Sequence, residues 1–303
     1  MNNVKAKVSI IIPIYNGEKV IEHALKSCLT QKYKDFEIIV VDNGSTDNTY
    51  KVLSNFLDGT HNIKYLYTEI KGRSNARNLG IEIAEGEYIK FLDADDRLSE
   101  YGLKESVDFL EQNPDYFAIC GTVSYVNTLN NNSVKKRIDK DINNLQFRNL
   151  FPINSVLFRN YKIIPFSNKL EYCEDWLFWF DNLWGKLIKI DNDILAGDVY
   201  VTGQNSMRNT RLMARYRSVV RANIVGKIEY KKYMYKEDIK SCLTYFWSYS
   251  NEEKHEKYVD QYMKKRYHFL FSATKMLYNF YPFKLYYNRR KNKQERKNYY
   301  LQE

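Results

Sequence analysis

An α/β fold, with a mostly parallel sheet flanked by helices, is what this sequence predicts, and three features carry the expectation. Short β-branched runs alternate with stretches whose apolar residues recur every three or four positions. The runs close on proline or aspartate, as strands do at the edge of a ligand-binding crevice. From Arg211 onward the chain is almost wholly helix-compatible, with Pro282 its only proline there.

In order, Val8-Ser9-Ile10-Ile11-Ile12-Pro13 reads as a buried parallel strand ended by proline, and Phe36-Glu37-Ile38-Ile39-Val40-Val41 as a second ending at Asp42. Between them Val20, Ile21, Ala24, Leu25, Cys28 and Leu29 line one face of a helix over 17–31, which makes a βαβ unit. Helices over 47–57 and 75–84 and strands over 63–67 and 88–92 continue the alternation. After Asp96 the pattern loosens into a helix near 102–112, a strand near 117–125 and an asparagine-rich loop near 127–141. A domain boundary is expected at Ala214, with residues 1–214 forming the α/β domain and 215–303 a helical, basic, tyrosine-rich region.

Three blocks carry chemistry. Asp42-Asn43-Gly44-Ser45-Thr46-Asp47 is either a capped turn or a ligand-facing one, in which Asp42 at a strand's carboxyl end accepts the N–H of a pyrimidine base. Asp93-Ala94-Asp95-Asp96 crowds three carboxylates into four residues. Unless it is a solvated acidic turn, a hard cation such as Mg2+ or Mn2+ offsets their repulsion and takes further ligands from phosphates. Gly72-Arg73-Ser74-Asn75-Ala76-Arg77-Asn78 opens a helix with two arginines, a site suited to phosphate or carboxylate, or else an exposed cationic loop. Neither GxGxxG nor GxxxxGK[ST] is present, so no dinucleotide or P-loop site is indicated.

Over about residues 7–210 these blocks, with Ile14-Tyr15-Asn16, Ser27-Cys28-Leu29-Thr30-Gln31, Ala76-Arg77-Asn78-Leu79-Gly80 and Gly86-Glu87-Tyr88-Ile89-Lys90-Phe91-Leu92, make the chain similar to the family-2 glycosyltransferases. That resemblance implies the GT-A (Rossmann-like) fold and sugar transfer with inversion from a nucleotide-diphosphate donor, a UDP-sugar being expected. It also implies that Pro13, Tyr15 and Asp42 line the nucleotide pocket with Arg77 nearby, that Asp93 lies close to the ribose, and that Asp95 holds Mn2+ or Mg2+. The base falls to the pair Glu174-Asp175, with Asp175 preferred, although two acids opening a helix are also favoured by its dipole alone. Two departures stand out: Asn43 replaces a common second aspartate, and Thr202 stands where many relatives place a histidine metal ligand.

Of the net charge of +10, about +9 lies from Lys227 onward, where 18 Lys and Arg face 9 Asp and Glu. A basic, aromatic tail suits either packing on the catalytic core or an anionic membrane surface, and a glycan, teichoic-acid or lipid-linked acceptor would be met there. No nucleic-acid partner is expected, since no binding motif accompanies the charge. The rival readings are a catalytically weak nucleotide-sugar-binding scaffold and a basic nucleic-acid-binding protein. No run reaches the length of a membrane span, and the four cysteines lack metal or redox spacing. The expected location is therefore cytoplasmic, or peripheral at the inner face of the membrane.

Overall fold

The computed structural model describes residues 7–57, 62–201, 210–229, 235–248 and 257–300. Its contacts divide the chain into two units. The first comprises residues up to 142 together with 149–171 and 178–202; the second comprises 143–148, 172–177 and the chain from 203 on.

The first unit is built on one mixed sheet. Strands β1 (Val8–Ile14), β2 (Phe36–Asp42), β3 (Ile63–Tyr67) and β4 (Tyr88–Phe91) form its parallel part in the order β3-β2-β1-β4. Between and after them come helices α1 (Ile21–Leu29), α2 (Thr49–Ser54), α3 (Arg73–Ile83) and, beyond the short β5 (Arg97–Leu98), α4 (Gly102–Gln112). The sheet continues through β8 (Val156–Arg159), antiparallel to β4, then β6 (Ala118–Asn127) and β9 (Ile188–Val201), which run parallel to each other. The asparagine-rich stretch expected to be a loop holds β7 (Ser133–Lys136), a hairpin partner of β6, turned through Asn131 at φ 56°. Asparagine tolerates that left-handed backbone, and four exposed residues leave no apolar alternation to betray the strand.

Alternation sorts the layers. Ile10, Ile12, Ile38 and Val40 face α1, α2 and α4, where Leu25, Cys28, Leu53, Val107 and Leu110 close one core. On the other face Gly80 of α3 sits so close to Ile11 that a Cβ would stand 2.4 Å from its side chain. Phe91 there meets Phe158, Phe166, Phe178 and Trp179 at centroid distances of 5.3 to 6.2 Å. Glu37 and Lys90 are charged groups buried in this sheet. Glu37 accepts hydrogen bonds from Ser9 Oγ (2.6 Å) and the Glu85 N–H (2.8 Å) and pairs with Lys64 (2.8 Å); Ser9 Oγ in turn accepts the Gly86 N–H (2.9 Å). Burial alone would push the Glu37 carboxyl up, but the hydrogen bonds from Lys64, Ser9 and Glu85 outweigh it and hold it below the usual range. Lys90 in β4 is only 2% exposed, and burial pushes its ammonium down to about 8.

The second unit is helical: α6 (Thr210–Val225), α7 (Tyr235–Ser248), α8 (Lys257–Asn279) and α9 (Tyr281–Tyr300). Pro282 stands in the first turn of α9, where its missing N–H costs nothing. At the centre Arg221 of α6 pairs with Asp238 of α7 (2.9 Å), donates to the Gln146 carbonyl (2.6 Å) and lies over the Phe147 ring. The ion pair is buried on both sides, so removing either partner would strand a charge.

Candidate functional site

The carboxyl ends of β1, β2 and β4 lie side by side, and the residues expected to bind a donor stand on them. Pro13 is buried opposite Val41, Ile14 pairs with Asp42, and Tyr15 emerges 50% exposed with Lys71 over its ring at 5.6 Å. The loops after β1 and β2 are knitted together. The Asn16 N–H donates to Ser45 Oγ (2.8 Å), Asn16 Oδ1 accepts the Thr46 N–H (2.8 Å), and Gly17 N–H donates to Thr49 Oγ1 (2.9 Å). Asn16 reaches this position in the left-handed region (φ 49°) and Gly44 turns at φ 81°, while Asp47 Oδ1 accepts the Thr49 N–H (3.0 Å) just ahead of α2.

Asp42 is 2% exposed and both its oxygens are engaged, Oδ1 by the Ser45 N–H (2.8 Å) and Oδ2 by the Tyr65 hydroxyl (3.0 Å). Burial first, and then Asp42, drives the Tyr65 phenol well above its ordinary value, so it stays a donor. Beside Asp42, the Asn43 side-chain oxygen is buried without a hydrogen-bond partner among the described residues.

Two strand spacings away, about 10 Å, the acidic block is resolved into three separate environments. Asp93 Oδ1 is held by Arg77 at 2.7 Å. Arg77 is itself 2% exposed and lies over Phe166, which stacks on Phe178 at 3.9 Å and whose backbone carbonyl and N–H are both bonded by the Asn78 side-chain amide. Asp95 is open to solvent, yet its carboxyl is raised, first by the protein around it and then by Asp93, with Arg73 a smaller opposing influence. Asp96 points inward, 5% exposed, and accepts the Tyr200 N–H (3.0 Å); burial, then Asp93 and Asp95, raise it well above the ordinary carboxylate range. Arg73 opens α3 behind Gly72, whose φ of 128° suits glycine, and reaches the Glu171 carbonyl at 3.5 Å.

The structure thus brings Pro13, Tyr15, Asp42, Arg73, Arg77, Asp93 and Asp95 to one end of the parallel strands. Glu174 and Asp175 belong to the second unit. They open helix α5 (Glu174–Leu183) behind Cys173 at φ 59°; Asp175 Oδ1 accepts the Trp176 N–H (2.8 Å), and the Trp176 indole donates to the Leu145 carbonyl (2.6 Å). Thr202 lies outside the described residues, and among those described no three His, Cys, Asp or Glu side chains are grouped to hold a metal. The donor set at hand is Asp95 itself, an accessible hard oxygen under repulsion from Asp93, which fits a Mg2+ or Mn2+ ion completed by phosphate and water. Tyr65 and Phe166 escaped the sequence reading, and Asp96, read there with Asp93 and Asp95 as one acidic block, is the member that turns inward. Of the two that escaped, only Tyr65 left a trace there, as a polar-tipped aromatic within an otherwise ordinary short strand.

A family model described as Glycosyl transferase family 2 matches residues 9–170. An uncharacterised glycosyltransferase of Haemophilus influenzae is 39% identical over 107 residues, 35% of this chain and 43% of that relative, so the shared stretch spans less than half of the relative's length. Among solved structures, Staphylococcus aureus TarS in complex with UDP superposes with a TM-score of 0.59 at 20% identity, covering 96% of this chain and 92% of that one. The Pyrobaculum calidifontis mannosyltransferase PcManGT, in complex with GDP-Man and Mn2+, does so with 0.59 at 16% identity, covering 94% and 84%. At these identities the two superpositions establish a shared fold.

Proposed function

The chain belongs to glycosyl transferase family 2, and on that premise we propose that it transfers one sugar from a nucleotide-diphosphate donor, a UDP-sugar, to an acceptor hydroxyl with inversion. The observation that carries this reading is the meeting of buried Asp42, the Arg77–Asp93 pair and accessible Asp95 at the ends of adjacent parallel strands. Asp42, fixed by Ser45 and Tyr65, presents an acceptor to the N–H of the base, with Pro13 and Tyr15 beside it. Arg77 orients Asp93 toward the ribose hydroxyls, and Arg73 at the start of α3 adds positive charge for the diphosphate.

Asp95 is the residue that would hold Mn2+ or Mg2+. When bound, the ion neutralises charge on the departing diphosphate. Asp175 takes the proton from the acceptor hydroxyl as that oxygen attacks the anomeric carbon on the side opposite the diphosphate. The acceptor class that fits is a surface glycan, teichoic acid or lipid-linked glycan, reached at the inner face of a membrane. Residues 1–214 would then be the catalytic domain, and 215–303 the part that meets the acceptor's surroundings.

A screen of UDP-, GDP- and dTDP-sugars for donor hydrolysis and transfer, with and without Mn2+, tests the reading. Asp95→Ala is expected to abolish metal-dependent turnover, and full activity of that variant or of the wild type in EDTA overturns the metal assignment. Asp175→Asn is expected to keep donor affinity while transfer falls about 100-fold or more. Near wild-type transfer by Asp175→Asn with loss in Glu174→Gln reverses the two roles. Tight donor binding without turnover under every condition favours the scaffold reading instead.

A further inference from the structure

Helix α8 is apolar on two opposite sides. Met263, Tyr267, Phe271, Thr274 and Tyr278 recur every three or four residues and are buried, which accounts for its packing within the helical unit. At 100° per residue Phe269 and Met276 fall diametrically opposite, and they are 79% and 81% exposed; Phe280, in the bend that follows the helix, is 63% exposed. In the first turns of α9, Tyr281 and Tyr286 are exposed as well, at 69% and 60%. A helix that has already buried one face gains nothing in water from a second apolar stripe.

The charge beside the stripe is of one sign. Lys265, Lys275, Arg289 and Arg290 are exposed along the same two helices, and from Lys257 to Glu303 the chain has twelve Lys and Arg against three Asp and Glu. Aromatic and thioether side chains flanked by cations, with almost no anions, complement a surface that is apolar below and negative above. No described helix is long and apolar enough to cross a bilayer, so such a helix lies in the plane of the interface.

We propose that the outward face of α8 and the start of α9 dock on an anionic lipid bilayer, with Phe269, Met276, Phe280 and Tyr281 entering the headgroup region and Lys265, Lys275, Arg289 and Arg290 meeting lipid phosphates. None of these residues is among those proposed for donor binding and catalysis, so the surface stands or falls independently of the sugar-transfer reading.

The test is co-sedimentation of the full chain with vesicles of phosphatidylcholine, with and without phosphatidylglycerol, at low salt. Binding is expected only to the anionic vesicles and is expected to weaken as salt rises. Lys265→Gln with Lys275→Gln should lower the partition coefficient roughly 20-fold. Phe269→Ser with Met276→Ser should lower it at least about tenfold, while thermal melting and donor binding stay as in the wild type. Wild-type protein that ignores anionic vesicles, or a stripe variant that binds them as well as wild type, overturns the proposal. Equal binding to both kinds of vesicle removes the role of charge and overturns it in this form. A wild-type dimer that the stripe substitutions convert to monomer, without vesicle binding, assigns the face to a second copy instead and likewise overturns it.

Discussion

Asp42 shows how much of a site's chemistry resides in a neighbour. Its position at the end of β2 is legible in the sequence, because a β-branched run stops there and a glycine turn follows. The grip on it is not legible, since Tyr65 sits 23 residues away on a different strand. Tyr65→Phe removes the donor from a buried carboxylate without opening a cavity, so the variant should fold normally. UDP binding measured by calorimetry is expected to weaken about 3- to 10-fold, because an underheld Asp42 pays to become ordered when the base arrives. Unchanged affinity would mean that Asp42 is positioned by Ser45 alone. The acidic block makes the same point. Repulsion among three carboxylates could be foreseen, but their separation depends on Arg77, on solvent and on the Tyr200 N–H, and two of those partners lie far away in the chain.

At the scale of elements, what the sequence disclosed follows from periodicity. β1, β2, β3, β4 and helices α1 to α4 have clean periods, and all lie within a few residues of their expected places. β9 does not. Its Asp191-Asn192-Asp193 interruption coincides with a break in register against β6, where Gly121 pairs with Asp191 but Thr122 pairs with Leu195. A bulge of that size shifts the alternation out of phase, and a reading based on alternation loses the strand. Lys90 shows the opposite case, a residue that fits no strand-core rule and is nonetheless buried in one. Its folded value of about 8 lies below the ordinary lysine value of 10.5, so the unfolded chain binds more protons between these two and stability rises with pH across that window. Lys90→Met should therefore raise the melting temperature by several degrees at pH 7, and the gain should shrink toward pH 10. A gain that is the same at both values would show that the lysine stays charged in the fold as it does in the unfolded chain.

For the whole molecule, charge is divided as the sequence suggested, with the basic excess concentrated in the helical unit. That unit was read as helical from composition, yet its centre was hidden, because nothing in the sequence pairs Arg221 with Asp238 or brings Gln146 to it. In the sheet unit the corresponding device is the buried group around Glu37. Its depressed folded value means that it adds stability above about pH 4.5, and that this stability is lost as pH falls through the lower folded value. Glu37→Gln should thus cost about 1 to 3 kcal/mol near neutrality, with a difference in melting temperature that closes as the pH falls through the lowered folded value. A difference that persists in acid would point to packing rather than charge.

The buried carboxylate of Glu37 also sets an order of events as the chain is made. Its partners Ser9, Lys64 and Glu85, with Gly86 behind Ser9, come from two strands and a turn, yet all of them lie within the first 86 residues. Until the last of them has emerged from the ribosome, Glu37 has no complete shell, and a collapsed β1–β2 pair must either keep it wet or bury it unpaired. Arrival of Gly86 removes that obstacle and leads directly into β4, so the strands that carry Asp42 and Asp93 can settle while the helical unit is still unsynthesised. A nascent chain stalled with about 130 residues outside the tunnel should then resist protease over β1 to β4, whereas one stalled with about 75 outside should not.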